Sequence, residues 1–175
     1  MRKPKRKGNR LTDYDYSRNG AYFITICTQG RQQILWESDT FTEDDNVGAS
    51  IARPQRAPTL SKTGKVVEQC IWEIPAHYPH ISVEKYAVMP NHIHLLLLIQ
   101  REPDGRPMVA PTVSTVMQQF KGIVSKQLSR SIWQKSFHDH IVRTEHGYAQ
   151  IWQYIDTNPQ LWHKDCFYEE PPHEP

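Results

Sequence analysis

Apolar residues recur in two rhythms along this chain. Residues 21–28 (AYFITICT) are aromatic and β-branched, as a strand requires. From Ser61, the positions Val66, Val67, Cys70, Ile71 and Ile74 repeat at helical spacing and predict a helix that stops before Pro75. Two strands are expected over residues 81–88 and 92–99. The second, HIHLLLLI, is apolar on both faces and so belongs at the centre of a sheet. A further helix begins near Thr112, with Val113, Val116, Met117, Phe120, Ile123, Val124 and Leu128 in a 3-and-4 rhythm. Residues 133–143 predict another strand, and a last helix starts near Glu145 and ends before Pro159.

The order strand, helix, strand, strand, helix, strand, helix predicts an α+β fold of the ferredoxin-like kind. Its antiparallel sheet carries helices packed on one face and keeps the other for a site or a partner. Residues 37–60 hold two prolines, one glycine and no apolar period, which predicts an irregular insertion rather than a second domain. The expected organisation is a basic arm over residues 1–20, one domain over 21–165, and a proline- and acid-rich tail over 166–175.

Composition narrows the function classes. At 175 residues, 38% hydrophobic and 23% charged, the chain suits one domain with its own core. It has no apolar run long enough to span a bilayer, and its N-terminus lacks the apolar core of a secretory signal. Cys27, Cys70 and Cys166 are scattered, forming neither a disulfide framework nor a CxxC clip, which suits a reducing cytoplasm. The net charge of +2 conceals an asymmetry. Arg2, Lys3, Lys5, Arg6, Lys7 and Arg10 carry 6 of the 21 basic residues, leaving 15 against 19 acids, or −4, over residues 11–175. Such an arm is either a phosphate-binding extension or a solvated tail.

His92 and His94 flank Ile93 on the expected central strand, so both imidazoles project from one face. That pair either shares a divalent cation or is simply two polar residues on an open sheet face. On the last helix, Tyr148, Ile151, Trp152 and Ile155 fall on one apolar face, which makes Tyr148 a core residue. Tyr154 and Asn158 stand one turn apart on a different stripe, placing a phenol beside a carboxamide.

The segments AYFITICTQGR, YAVMPNHIHLLL, FKGIVSK, SFHDHIVR and YIDTNPQLW, in this order, resemble the REP-associated tyrosine transposases. These belong to the single-tyrosine HUH transposases, which include the small insertion-sequence transposases. The resemblance covers residues 11–165. It implies a ferredoxin-like, RRM-like fold, a divalent metal (Mg²⁺ or Mn²⁺), and cleavage of single-stranded, hairpin-forming DNA through a 5′-phosphotyrosine link. Carried over by position, it makes His92 and His94 metal ligands, Asn158 a residue completing the metal shell, and Tyr154 the nucleophile. It also implies a bacterial, cytoplasmic, nucleoid-associated protein acting as a monomer or a homodimer. The alternative is a non-catalytic RRM-like nucleic-acid-binding protein. Against it, the RNP aromatic pattern is absent, while the two histidines and Tyr154 are present. A ferredoxin-like small-molecule module is a third class, and it leaves the basic arm unexplained.

Other residues keep two readings. His138, Asp139 and His140 make either a second metal triad or a structural or DNA-contacting strand. Lys121, Lys126 and Arg130 form either a solvated or a phosphate-contacting helix face. Tryptophans are expected in the core rather than as base-stacking platforms, although Trp133 and Trp162 border polar stretches.

Overall fold

The computed structural model describes residues 15–16, 18–37, 58–100 and 112–168. The basic arm with Arg2, Lys3, Lys5, Arg6, Lys7 and Arg10 lies outside the described residues, as do most of 37–60 and the end of the tail.

Four strands form one antiparallel sheet: β1 (Gly20–Cys27), β2 (Ile81–Val88), β3 (His92–Ile99) and β4 (His138–Val142), in the order β2-β3-β1-β4. The helices are α1 (Lys62–Trp72), the short α2 (Ile74–His77), α3 (Val113–Gln127) and α4 (Glu145–Thr157). This is the ferredoxin-like arrangement expected, with β3 central. The last strand is shorter than predicted: Trp133 makes only an isolated bridge to Thr28, and regular pairing begins at His138. Pro75 does not sit inside α1, which ends at Trp72; it opens the next helical turn, where its missing N–H costs nothing.

Local chemistry sets the helix starts. Ser61, Thr112 and Thr144 each accept a hydrogen bond from the backbone N–H three residues on, capping α1, α3 and α4. Gly64 lies so close to the Leu35 carbonyl that a Cβ would stand 2.1 Å from its oxygen, so only glycine lets α1 seat against that loop.

One sheet face packs against α1 and α3. Tyr22, Ile24, Ile26, Ile93, Leu95, Leu97 and Ile99 meet Val67, Ile71, Val116, Met117 and Phe120 there. The opposite face is not left open along its length, because β3 is apolar on that side too. Leu96, Leu98, Ala87 and Ala21 pack with Ile151 and Ile155 of α4 and with Trp162. Helix α4 therefore lies over the second face, across β2 and β3. Its apolar stripe is narrower than the spacing predicted: Ile155 is buried and Tyr148 half-buried, whereas Trp152 is 37% exposed and stacks beside Tyr148 and Lys85. Among the described residues, no helix is long and apolar enough to cross a membrane.

Candidate active site

Strand alternation puts His92 and His94 on the face covered by α4, at the end of β3 nearest Pro90. Both are sealed, at 0% and 1% exposure. The antiparallel register sets Thr25 of β1 directly opposite His94. Its hydroxyl lies 2.9 Å from His94 Nδ1. On the other side, His92 Nδ1 lies 2.8 Å from Asn91 Oδ1, and the two Nε2 atoms face each other at 2.9 Å. Phe167 and Trp162 lie against the His92 ring, and Phe23 and Tyr154 against the His94 ring. Burial lowers both imidazole pKa values. For His92, helped by its neighbour His94, the value falls to about 3; for His94 a nearby carboxylate works in the opposite direction. Both rings are therefore neutral near pH 7, the form that ligates metals.

The last helix brings Tyr154 to this pair. Its ring is 40% exposed, but its hydroxyl reaches inward, 3.4 Å from His94 Nε2 and donating to Asp165 Oδ2 at 3.0 Å. Asn158 follows at the point where α4 tightens into a 3-10 turn (Asn158–Lys164). Its amide nitrogen donates to the same Asp165 oxygen at 3.0 Å, while its Oδ1 is buried with no hydrogen-bond partner. Burial and the adjacent Asp165 carboxylate push the Tyr154 phenol well above its ordinary pKa. Burial opposes the charge on Asp165, yet the neighbouring His94 ring, 4.0 Å away, and hydrogen bonds from the Phe167 amide and Asn158 outweigh it and hold that carboxyl below the usual range. The resting arrangement is a phenol donating to a carboxylate.

Asp165 is the group that pattern reading missed. Single acids near a chain end carry no spacing signal, and this one reaches the site only because the 3-10 turn reverses the chain after α4. His92, His94 and Asp165 each offer a ligand atom, all within 4.8 Å of one another. With the unpartnered Asn158 Oδ1 alongside, two neutral nitrogens, a carboxylate and an orphaned carbonyl oxygen suit a small divalent cation.

The remaining candidates sort differently. His138 and His140 pair opposite Thr25 and Phe23 on an outer strand and are exposed; they are not part of the ligand group found among the described residues. Lys121 is not a free solvated residue: its Nζ donates to the Gln134 and Ser136 carbonyls, tying α3 to the loop before β4. Lys126 and Arg130 are exposed. Trp36, Trp133 and Trp162 are buried, as core residues should be, and Trp72 is 66% exposed.

Known proteins supply the context for this geometry. No protein-family model matches the chain. An uncharacterized protein of Haemophilus influenzae is 29% identical over 182 residues, covering 93% of each chain. A second protein of that organism, named as a candidate REP-associated tyrosine transposase, is 29% identical over 153 residues, or 83% of this chain and 73% of its own length. A solved REP-associated tyrosine transposase bound to a REP hairpin superposes with a TM-score of 0.56 at 18% identity, covering 87% of this chain and 74% of that one. The chain resembles the REP-associated tyrosine transposases. At that identity the structural likeness is one of fold, so the chemistry rests on the side chains just described.

Proposed function

We propose that this chain is a transposase-like DNA-processing enzyme, a metal-dependent single-strand endonuclease and strand transferase acting at hairpin-forming repeats. The observation that carries the reading is the meeting of Tyr154 with the two-histidine site: a phenolic oxygen from α4 stands 3.4 Å from an imidazole nitrogen of β3. The named relative and the hairpin-bound fold neighbour support DNA as the partner. The six cations of residues 1–10 supply a phosphate-binding arm.

In this reading His92, His94 and Asn158 hold Mg²⁺ or Mn²⁺, with Asp165 beside them. When bound, the cation supplies positive charge that favours phenolate and offsets charge developing on the scissile phosphate. Tyr154 Oη attacks phosphorus; a P–Oη bond forms as the P–O3′ bond breaks, leaving a 5′-phosphotyrosine and a free 3′-OH. The phenolic proton leaves toward Asp165 Oδ2, its partner in the resting site, and the departing 3′ oxygen takes a proton from solvent. Attack by a 3′-OH on the phosphotyrosine reverses these changes and reseals a strand. Because α4 meets the sheet of its own chain, one copy holds the full set of groups, which supports action as a monomer. We place the protein in the bacterial cytoplasm with the nucleoid, where such a substrate lies.

The test is incubation with labelled hairpin DNA and Mn²⁺, followed by a denaturing gel. A shifted covalent band is expected from the wild type and lost in His92→Ala, in His94→Ala and in EDTA. Binding without a covalent band would favour the non-catalytic RRM-like alternative, and cleavage that persists in EDTA would remove the metal from the mechanism.

A further inference from the structure

The hydrogen bonds around the two histidines form one chain whose direction can be read from its end. The Asn91 amide nitrogen lies 2.9 Å from the Phe167 carbonyl oxygen, which accepts only, so the Asn91 NH₂ must point there. Its Oδ1 therefore faces His92 Nδ1 at 2.8 Å, and that nitrogen must carry the hydrogen. A neutral His92 protonated at Nδ1 presents a bare lone pair at Nε2. His94 Nε2, 2.9 Å away, must then be the donor, with Asp165 Oδ2 at 4.0 Å favouring a hydrogen there. His94 Nδ1 is left as an acceptor, and the Thr25 hydroxyl at 2.9 Å donates to it. All four side chains from Asn91 to Thr25 are buried, so water does not complicate the order.

We propose that Asn91 and Thr25 are positioning residues: Asn91 fixes His92 in the tautomer with a bare Nε2, and Thr25 lets His94 exchange tautomers when a cation binds. The proposal rests on the metal reading above. In the cation-free chain a single hydrogen sits between the two Nε2 atoms. Ligation by both nitrogens requires that hydrogen to vacate His94 Nε2 and His94 Nδ1 to gain one, with both rings neutral throughout. The partner of Nδ1 must then change from donor to acceptor. A hydroxyl does this by rotating about its C–O bond, whereas a backbone carbonyl or an amide N–H does not. Asn91 has no such freedom, because its other end is held by Phe167, and His92 needs none, since it is a ready ligand in both states. The same contact ties the chain after Asp165 to the site, so Asn91 couples the His92 tautomer to the seating of residues 165–167.

Long-range ¹⁵N–¹H correlation spectra of the imidazole rings read the tautomers directly. In the cation-free wild type, His92 is expected as the Nδ1–H form and His94 as the Nε2–H form. With saturating Mg²⁺, a diamagnetic probe, His94 is expected to become Nδ1–H while His92 stays as it was. Thr25→Val, close to isosteric, should lower Mn²⁺ affinity by about 10- to 100-fold, as loss of outer-shell partners commonly does, and Thr25→Ser should restore it. Asn91→Ala should give mixed His92 tautomers. His92 found as Nε2–H in the cation-free protein would overturn the orientation of the chain. His94 unchanged in the Mg²⁺-bound protein, or Thr25→Val binding Mn²⁺ like the wild type, would overturn the exchange. If no cation binds, the metal reading fails and the exchange with it, while the cation-free tautomers still decide whether Asn91 orients His92.

Discussion

Replacing Tyr154 by phenylalanine separates its chemical role from its structural one. The substitution removes one oxygen and leaves the ring against Phe23 and His94. The lost oxygen donates to Asp165 Oδ2, so the Asp165 carboxylate drops from three hydrogen-bond donors to two, keeping Asn158 Nδ2 at 3.0 Å and the Phe167 N–H at 2.7 Å. A hydrogen bond to a charged group is worth about 1.5–3 kcal/mol, and the remaining donors together with the half-exposed ring argue for the lower part of that range. A loss of about 1.5–2 kcal/mol should lower Tm by about 3–8 °C in a domain of this size. The adduct with hairpin DNA, by contrast, should fall to background, since no phosphotyrosine forms without the hydroxyl. Thermal unfolding, hairpin affinity and the denaturing-gel adduct measured on one preparation distinguish the two effects. Undiminished adduct in Tyr154→Phe would refute the assignment and move attention to Tyr148, whose hydroxyl instead donates to Glu84 at 3.1 Å. A variant that fails to fold would refute the energetic reasoning, because it would make the hydroxyl a keystone of α4 rather than one donor among three.

Acid should weaken the fold through His92. The folded-state pKa of His92 is depressed to about 3 from 6.5, so between those values the unfolded chain binds a proton the folded one refuses. Stability is then full above about pH 6.5 and declines as pH falls, by up to ~1.4 kcal/mol per unit for each such histidine; denaturant midpoints at pH 7.5 and 5 check this, and His92→Gln should flatten the difference. Deleting residues 1–10 should reduce the log–log salt slope of hairpin binding by up to about 4, at ~0.7 for each of six single-strand phosphate contacts, and identical slopes would make the arm a passive tail. Gly64→Ala forces a Cβ against the Leu35 carbonyl and should cost about 1–3 kcal/mol in urea unfolding; a neutral result would mean that α1 seats differently from its position here.

The sequence by itself determined what depends on near neighbours in the chain. HIHLLLLI alternates and is doubly apolar, so it had to be a central strand with both histidines on one side. EHGYAQIWQYIDT follows directly on its cap Thr144 and carries its helical period within itself, so Tyr154 and Asn158 had to lie one turn apart. The resemblance joined those two segments before any contact was visible. Tertiary structure alone decided the contacts made across long separations. That α4 covers the second face follows from Leu96 and Leu98 needing partners there, a demand met by Ile151 and Ile155 some sixty residues away and recorded in no local pattern. Trp152 looked like part of the same stripe, yet it lies at the margin of a narrow contact and stays partly in solvent. Thr25 faces His94 only through the β1–β3 register, and Asp165 arrives only because the chain turns back after Asn158. Periodicity shows which way a side chain points relative to its neighbours. What it points at is decided by which apolar surfaces find each other when the whole chain folds.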